Sequence, residues 1–202
     1  VEPISSVLRR LAGGRIDLIH VGGELLGCGA WEAAVMLLDA AQAQSIILRC
    51  EGRPRAALRW AQRRLGIDRR AAYVLPQRAL AGGGRVLFNA VGGVGLAARD
   101  AAFRAEVAVS LGSADFVSVR DAVTREALAA EGVAARLAPD PAVLVAELFA
   151  GRIEEAGGRG EAGRVRELFP RGYLAVQFSA DFGDDATLDL LGAQLSELRR
   201  QS

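Results

Sequence analysis

Short apolar runs ending in glycine turns or in an Arg-Asp pair recur along this 202-residue sequence, separated by stretches with helical spacing. That alternation constrains the fold more than any other feature. Strand, helix and strand joined by short turns require crossover connections, which lay parallel strands side by side and cover them with helices. Residues 16–21 are apolar and rich in β-branched side chains, and they lie between Gly13-Gly14 and Gly22-Gly23, so they read as a buried parallel strand. Residues 31–44 put Trp31, Val35, Leu38 and Ala41 on one helical face, and 45–48 read as a short strand. In the basic segment 51–70, Leu58, Ala61 and Leu65 mark a helix with arginines on its wet face. Strands are expected at 85–90, 116–119 and 134–137, and helices at 101–111 and 123–130. The expected fold class is α/β, a Rossmann-like parallel sheet with helices on both faces. A short helix is expected to precede the first strand.

Open parallel sheets bind ligands beyond the carboxyl ends of their strands, so the residues there are the candidate site. Gly22-Gly23 lets backbone approach a ligand closely, and a following helix could aim its amino end at a phosphate; a bare strand-to-helix turn explains the pair equally well. Glu24 would repel a phosphate and better suits a sugar hydroxyl, a role as base, or solvent. Asn89 offers an amide to a hydroxyl or carboxylate just before the turn Gly92-Gly93-Val94-Gly95. Two glycine turns on neighbouring strand ends would form one rim of a cleft. Arg120 follows the run 116–119 and carries the fork that grips a carboxylate or phosphate with two parallel hydrogen bonds. Its simpler reading is an ion pair with Asp121 or another nearby carboxylate. Asp140 stands between two prolines that fix its backbone, where it could orient Arg120, bind a sugar hydroxyl, or close a loop.

Composition narrows the chemistry. The net charge is +1 and no basic block stands apart from acidic neighbours, so nucleic acid is not an expected partner. The chain has no lysine, which excludes a Schiff-base or P-loop lysine within it. Cys28, Cys50 and the single histidine, His20, are scattered, so no metal site is expected. His20 lies in an apolar strand and reads as a core group. The two cysteines fit a reducing, cytoplasmic setting. No signal peptide is visible in these residues, and no apolar run reaches membrane-spanning length. The arginines of 53–70 read as a solvated helix face; the alternative is a patch for carrier phosphates or lipid headgroups, which would bring peripheral membrane contact.

Residues 1–150 read as one Rossmann-like domain and 151–170, where glycine and charge concentrate, as a surface linker. A strand at 173–179 and a helix at 186–199 cannot make an independent sheet, so they either pad the first domain or, as expected, begin a second α/β unit continuing past Ser202. Gln177 and Ser179 are too generic to assign.

Several of these segments are similar to one family. Residues 16–26, Ile-Asp-Leu-Ile-His-Val-Gly-Gly-Glu-Leu-Leu, resemble the first strand and glycine turn of polysaccharide pyruvyl transferases, which usually carry a third glycine where Glu24 stands. Residues 89–95 occupy the place of that family's strand ending in a glycine-rich turn. Residues 116–121, with Leu128 and Gly132 behind them, resemble its strand, Arg-Asp, helix block, and Pro139-Asp140-Pro141 resembles the Asp-Pro that closes it. The resemblance covers roughly residues 15–180 in order.

It implies a GT-B-like fold of two Rossmann-like domains facing across a cleft. The implied activity is transfer of a pyruvyl unit from phosphoenolpyruvate to two sugar hydroxyls as a cyclic ketal, with no obligatory metal or organic cofactor. The implied acceptor is a cell-wall or capsular sugar, commonly nucleotide- or lipid-linked. Arg120 matches the arginine that handles the anionic donor, and Glu24, Asn89, Gly22, Gly23, Gly92 and Gly93 would line the acceptor side. The family's general acid is a histidine in its second domain, in a segment that this sequence does not reach. Two other readings remain: a GT-B glycosyltransferase using a nucleotide sugar, and a non-catalytic sugar- or anion-binding module.

Overall fold

The computed structural model describes residues 14–80, 82–173 and 184–201, together with Val7 and Arg10. The chain divides into two compact units, residues 1–148 and 149–202. The expected entry helix falls almost wholly outside the described residues, as do Gln177, Ser179 and all but Tyr173 of the expected strand 173–179.

The first unit is an α/β structure built on four parallel strands: β1 (Leu18–Val21), β2 (Val86–Val91), β3 (Phe116–Val119) and β4 (Arg136–Leu137). They lie in the order β1-β2-β3-β4. The helices are α1 (Ala30–Val35), α2 (Ala40–Cys50), α3 (Pro54–Leu65), α4 (Ala101–Gly112) and α5 (Ala122–Ala130). At the amino ends of the strands, carboxylates fix the register: Asp17 Oδ1 accepts the Arg85 N–H at 2.9 Å and Asp115 Oδ2 accepts the Val86 N–H at 2.9 Å.

Alternate strand residues supply the core. Val86, Phe88 and Val91 of β2 and Val119 of β3 pack with Phe103, Val107 and Leu111 of α4 and Leu128 of α5. Burying a side chain such as Phe88 contributes about 1.5–3 kcal/mol. His20 of β1 joins this layer as the core group expected: it is 9% exposed and its ring stacks on Phe88 at 4.2 Å. The alternate positions Ile19 and Val21 are more than half exposed. A smaller cluster holds α1 to α3 through Ala30, Ala34 and Ala61, with Trp31 and Trp60 edge to face at 5.5 Å.

Two local expectations are corrected. The helix read over 31–44 is interrupted after Val35, and α2 restarts where Asp39 Oδ1 accepts the Gln42 N–H at 2.8 Å. The segment 45–48, read as a strand, is the second half of α2: the cap at Asp39 sets a helical phase in which only Ile46 is buried, so β-branching there decides nothing.

In the second unit, the segment read as a linker carries helices. Helix α6 (Val145–Gly157) crosses the unit boundary with a non-helical residue at Phe149, and α7 (Gly160–Leu168) follows it. Helix α8 (Asp185–Gln201) covers the expected 186–199.

Candidate functional site

All four strands of the sheet end in the same place. β1 delivers Gly22, Gly23 and Glu24, β2 delivers Gly92 and Gly93, β3 delivers Arg120, and Asp140 follows β4. The ladder continues past the strand ends and fixes these turns: the Gly22 N–H donates to Asn89 O at 2.9 Å, Gly92 N–H to Gly23 O at 2.7 Å, and Arg120 N–H to Val91 O at 3.3 Å.

Arg120 lies at the centre. Its Nη1 donates to Asp140 Oδ2 at 2.9 Å and its Nη2 to Glu24 Oε2 at 3.2 Å. The pairing with Asp121 does not occur, because Asp121 caps α5 instead, accepting the Thr124 N–H at 2.7 Å. Glu24 does not face solvent alone; it reaches Arg120 across 96 residues of sequence. Asp140 holds Arg120 from a turn that also ties its other oxygen to the Ala142 N–H at 2.9 Å. That backbone bond, followed by the Arg120 guanidinium, keeps the Asp140 carboxyl below the usual carboxylate range. Asp140, and after it Glu24, raises the Arg120 guanidinium above its already high value, so it stays charged.

The glycines make the approach feasible. Gly22 has φ +57, a conformation open to glycine at no steric cost, and a Cβ there would lie 3.4 Å from Asp140 Oδ1. A Cβ on Gly92 would press on the Glu24 carboxylate and lie 2.7 Å from Arg120 Nε. The helix expected directly after Gly22-Gly23 is not there. Glu24 instead bridges to Gly92, and the six-residue α1 starts only after Gly29, so no helix amino end serves this turn.

Side chains that sequence reasoning passed over support the cluster. The Gly93 N–H donates to Thr124 Oγ1 at 2.8 Å, and that hydroxyl donates to Asp121 Oδ2 at 2.8 Å, a relay that ties the β2 turn to the start of α5. The spacing of Asp121 and Thr124, a cap residue and a hydroxyl three positions on, is a signal that could have found it. Ser118 Oγ accepts the Ala90 N–H at 2.8 Å and lies 3.4 Å from Asn89 Oδ1. Ala90 has φ +52 where the β2-β3 register shifts between Phe88 and Val91. This bulge re-aims the residues entering the glycine turn, and nothing in the sequence marks it.

Among the described residues, no group of acidic, histidine or cysteine side chains is arranged to hold a metal ion, and no helix is long and apolar enough to cross a membrane. Neither a curated protein nor a solved structure gives a match. The family model for polysaccharide pyruvyl transferase matches residues 16–192, a span that takes in the parallel sheet and every member of the Arg120 cluster. With most of its length inside that match, the chain belongs to the polysaccharide pyruvyl transferase family.

Proposed function

We propose that the chain transfers a pyruvyl unit from phosphoenolpyruvate to two hydroxyls of a sugar, with Arg120 as the donor's anion site. The observation that carries this is the convergence of four strand ends on one arginine whose two nitrogens are held by carboxylates of unequal grip. Asp140 is closer, less exposed and tied to backbone; Glu24 is longer-bonded and 44% exposed. The donor's carboxylate or phosphate therefore displaces Glu24 from Nη2 while Asp140 keeps the guanidinium oriented. Glu24, released, becomes the acceptor-side base.

In the chemistry that follows, the methylene carbon of the enol takes a proton and the adjacent carbon becomes electrophilic. A sugar hydroxyl attacks that carbon and gives up its proton, phosphate leaves with the C–O bond electrons, and a second hydroxyl attacks the same carbon and loses its proton to close the ketal. Arg120 stabilises the donor's charge as it redistributes. Gly22, Gly23, Asn89, Gly92 and Gly93 line the acceptor side, and the acceptor sugar is carried on a nucleotide or lipid. His20 is not the general acid of this reading, because it is stacked in the core. The remaining parts are a linker at 151–170, a second Rossmann-like domain beginning after it in a GT-B-like arrangement, and a cytoplasmic site of action.

One observation favours a second reading, a non-catalytic sugar-binding module: Arg120 is already balanced by two carboxylates, which suits neutral hydroxyls. Thermal unfolding with ligands separates the two, since a ligand of the native state raises its melting temperature. Phosphoenolpyruvate should raise it, and Arg120→Ala should abolish that rise and slow ketal formation by about a hundredfold or more. Stabilisation by a bare sugar with no response to phosphoenolpyruvate would select the module instead.

A further inference from the structure

A cavity of about 720 Å³ opens where the end of α2, the start of α3, the start of α1 and the segment entering α4 meet. Its size is that of a small-molecule site, roughly 300–1,000 Å³. None of its lining residues belongs to the Arg120 cluster.

Two kinds of side chain form it. Trp31, Ile47, Leu48, Leu58 and Phe103 give an apolar wall, with Ile47 and Leu48 at 43% and 60% exposure despite having no polar atom to solvate. The arginines Arg53, Arg55, Arg70 and Arg99 outnumber the carboxylates Glu51 and Asp100. Arg99 is engaged: it grips Glu32 through Nη1 at 2.7 Å and Nη2 at 3.3 Å and lies over the Phe103 ring. Arg70 faces Asp100 at 3.5 Å. Arg53 and Arg55 have no side-chain partner among the described residues.

The lining contains no Ser, Thr, Asn, Gln, Tyr or His. A nucleoside or a bare sugar is read by neutral donors and acceptors, and this wall offers none beyond backbone. What it can recognise is an apolar body and a negative charge. Two unpaired guanidinium forks lining one cavity suit a dianion better than a single carboxylate.

We propose that this cavity binds a single-chain aliphatic phosphate, its chain against Ile47, Leu48 and Leu58 and its head between Arg53 and Arg55. The site is independent of the donor site at Arg120.

Trp31 in the wall supplies the readout. The 202-residue chain is titrated with decyl phosphate below its micelle concentration while tryptophan fluorescence is followed, with decanoate and decyl maltoside as matched probes. Decyl phosphate should bind saturably and about tenfold or more tighter than either. The double variant Arg53→Ala, Arg55→Ala and the variant Leu48→Asp, all at exposed positions, should keep the melting temperature and each weaken that binding by about tenfold or more. Phosphoenolpyruvate and inorganic phosphate should not compete. Equal binding of all three amphiphiles, no saturable signal, or undiminished binding by the variants would overturn the assignment.

Discussion

Adjacent glycines in the β2 turn meet opposite surroundings, and a methyl group at each would separate site from scaffold. At Gly92 the atoms nearest the methyl would be the Glu24 carboxylate and the Arg120 guanidinium, part-exposed groups that can swing into solvent. At Gly93 it would lie 2.7 Å from Leu26 Cβ and 3.2 Å from Thr124 Cγ2, both on fully buried residues that cannot retreat. Gly93→Ala should therefore cost about 1–3 kcal/mol by overpacking. Gly92→Ala should leave stability within about 1 kcal/mol, the worth of a part-exposed ion pair, yet abolish stabilisation by phosphoenolpyruvate. Urea unfolding and ligand-dependent melting read the two effects separately, and equal destabilisation by both would refute the distinction. His20 makes a different single-residue prediction. Burial lowers its pKa below the ordinary value of 6.5, so the unfolded chain takes up a proton before the folded one. Its contribution is thus complete above about pH 6.5 and falls as pH drops, by at most about 1.4 kcal/mol per unit. His20→Phe keeps a ring on Phe88 and should flatten that part of the profile, whatever it does to stability at neutral pH. Urea midpoints measured across the range would show it, and an unchanged slope would mean that His20 does not titrate with folding.

At the scale of elements, the bulge in β2 depends on one hydroxyl. The Ala90 N–H is buried and its acceptor is Ser118 Oγ from the neighbouring strand. Ser118→Ala leaves that donor unpaired and should destabilise the protein by about 1–3 kcal/mol. Hydrogen exchange at Ala90 should accelerate more than at Phe88, and uniform acceleration across β2 would argue against a local role. Such pairings explain what could and could not be read from the sequence. β3 was legible to the residue, and α4 and α5 nearly so, because apolar period and an aspartate cap agreed at Asp100 and Asp121. Residues 45–48 misled because their β-branched side chains suggest a strand while the deciding group, the Asp39 cap, lies six residues before. Arg120 and Asp140 were readable as candidates from the strand end and the paired prolines. The Glu24 contact to Arg120 was not, since only the assembled sheet brings β1 beside β2 and the end of β3 within reach.

At the scale of the whole molecule, the two compact units differ in what could hold them folded. Every buried core side chain among the described residues lies between His20 and Val133, inside the first unit. In the second, no described side chain of α7 or α8 is buried, and large apolar residues such as Leu168, Phe169 and Leu190 are more than half exposed. Apolar area removed from water is the dominant favourable term in folding, and conformational entropy opposes it at every ordered residue. Described helices without a buried face contribute little to stability, so the core of the first unit is expected to carry most of it. The Arg120 cluster, from Gly22 to Asp140, lies wholly within that unit as well. Ending the chain at Leu148 should then leave the main unfolding transition within about 2 °C of its position in the 202-residue chain, equivalent to less than about 1 kcal/mol at this size. The denaturant m-value, which scales with the surface exposed on unfolding, should barely change. If Arg120 alone supplies the donor's anion site, the shortened chain should also keep its melting response to phosphoenolpyruvate. A fall of ten degrees or more would show that residues 149–202 bury apolar surface against a partner surface. Loss of the phosphoenolpyruvate response with stability intact would instead move part of the donor site into the second unit.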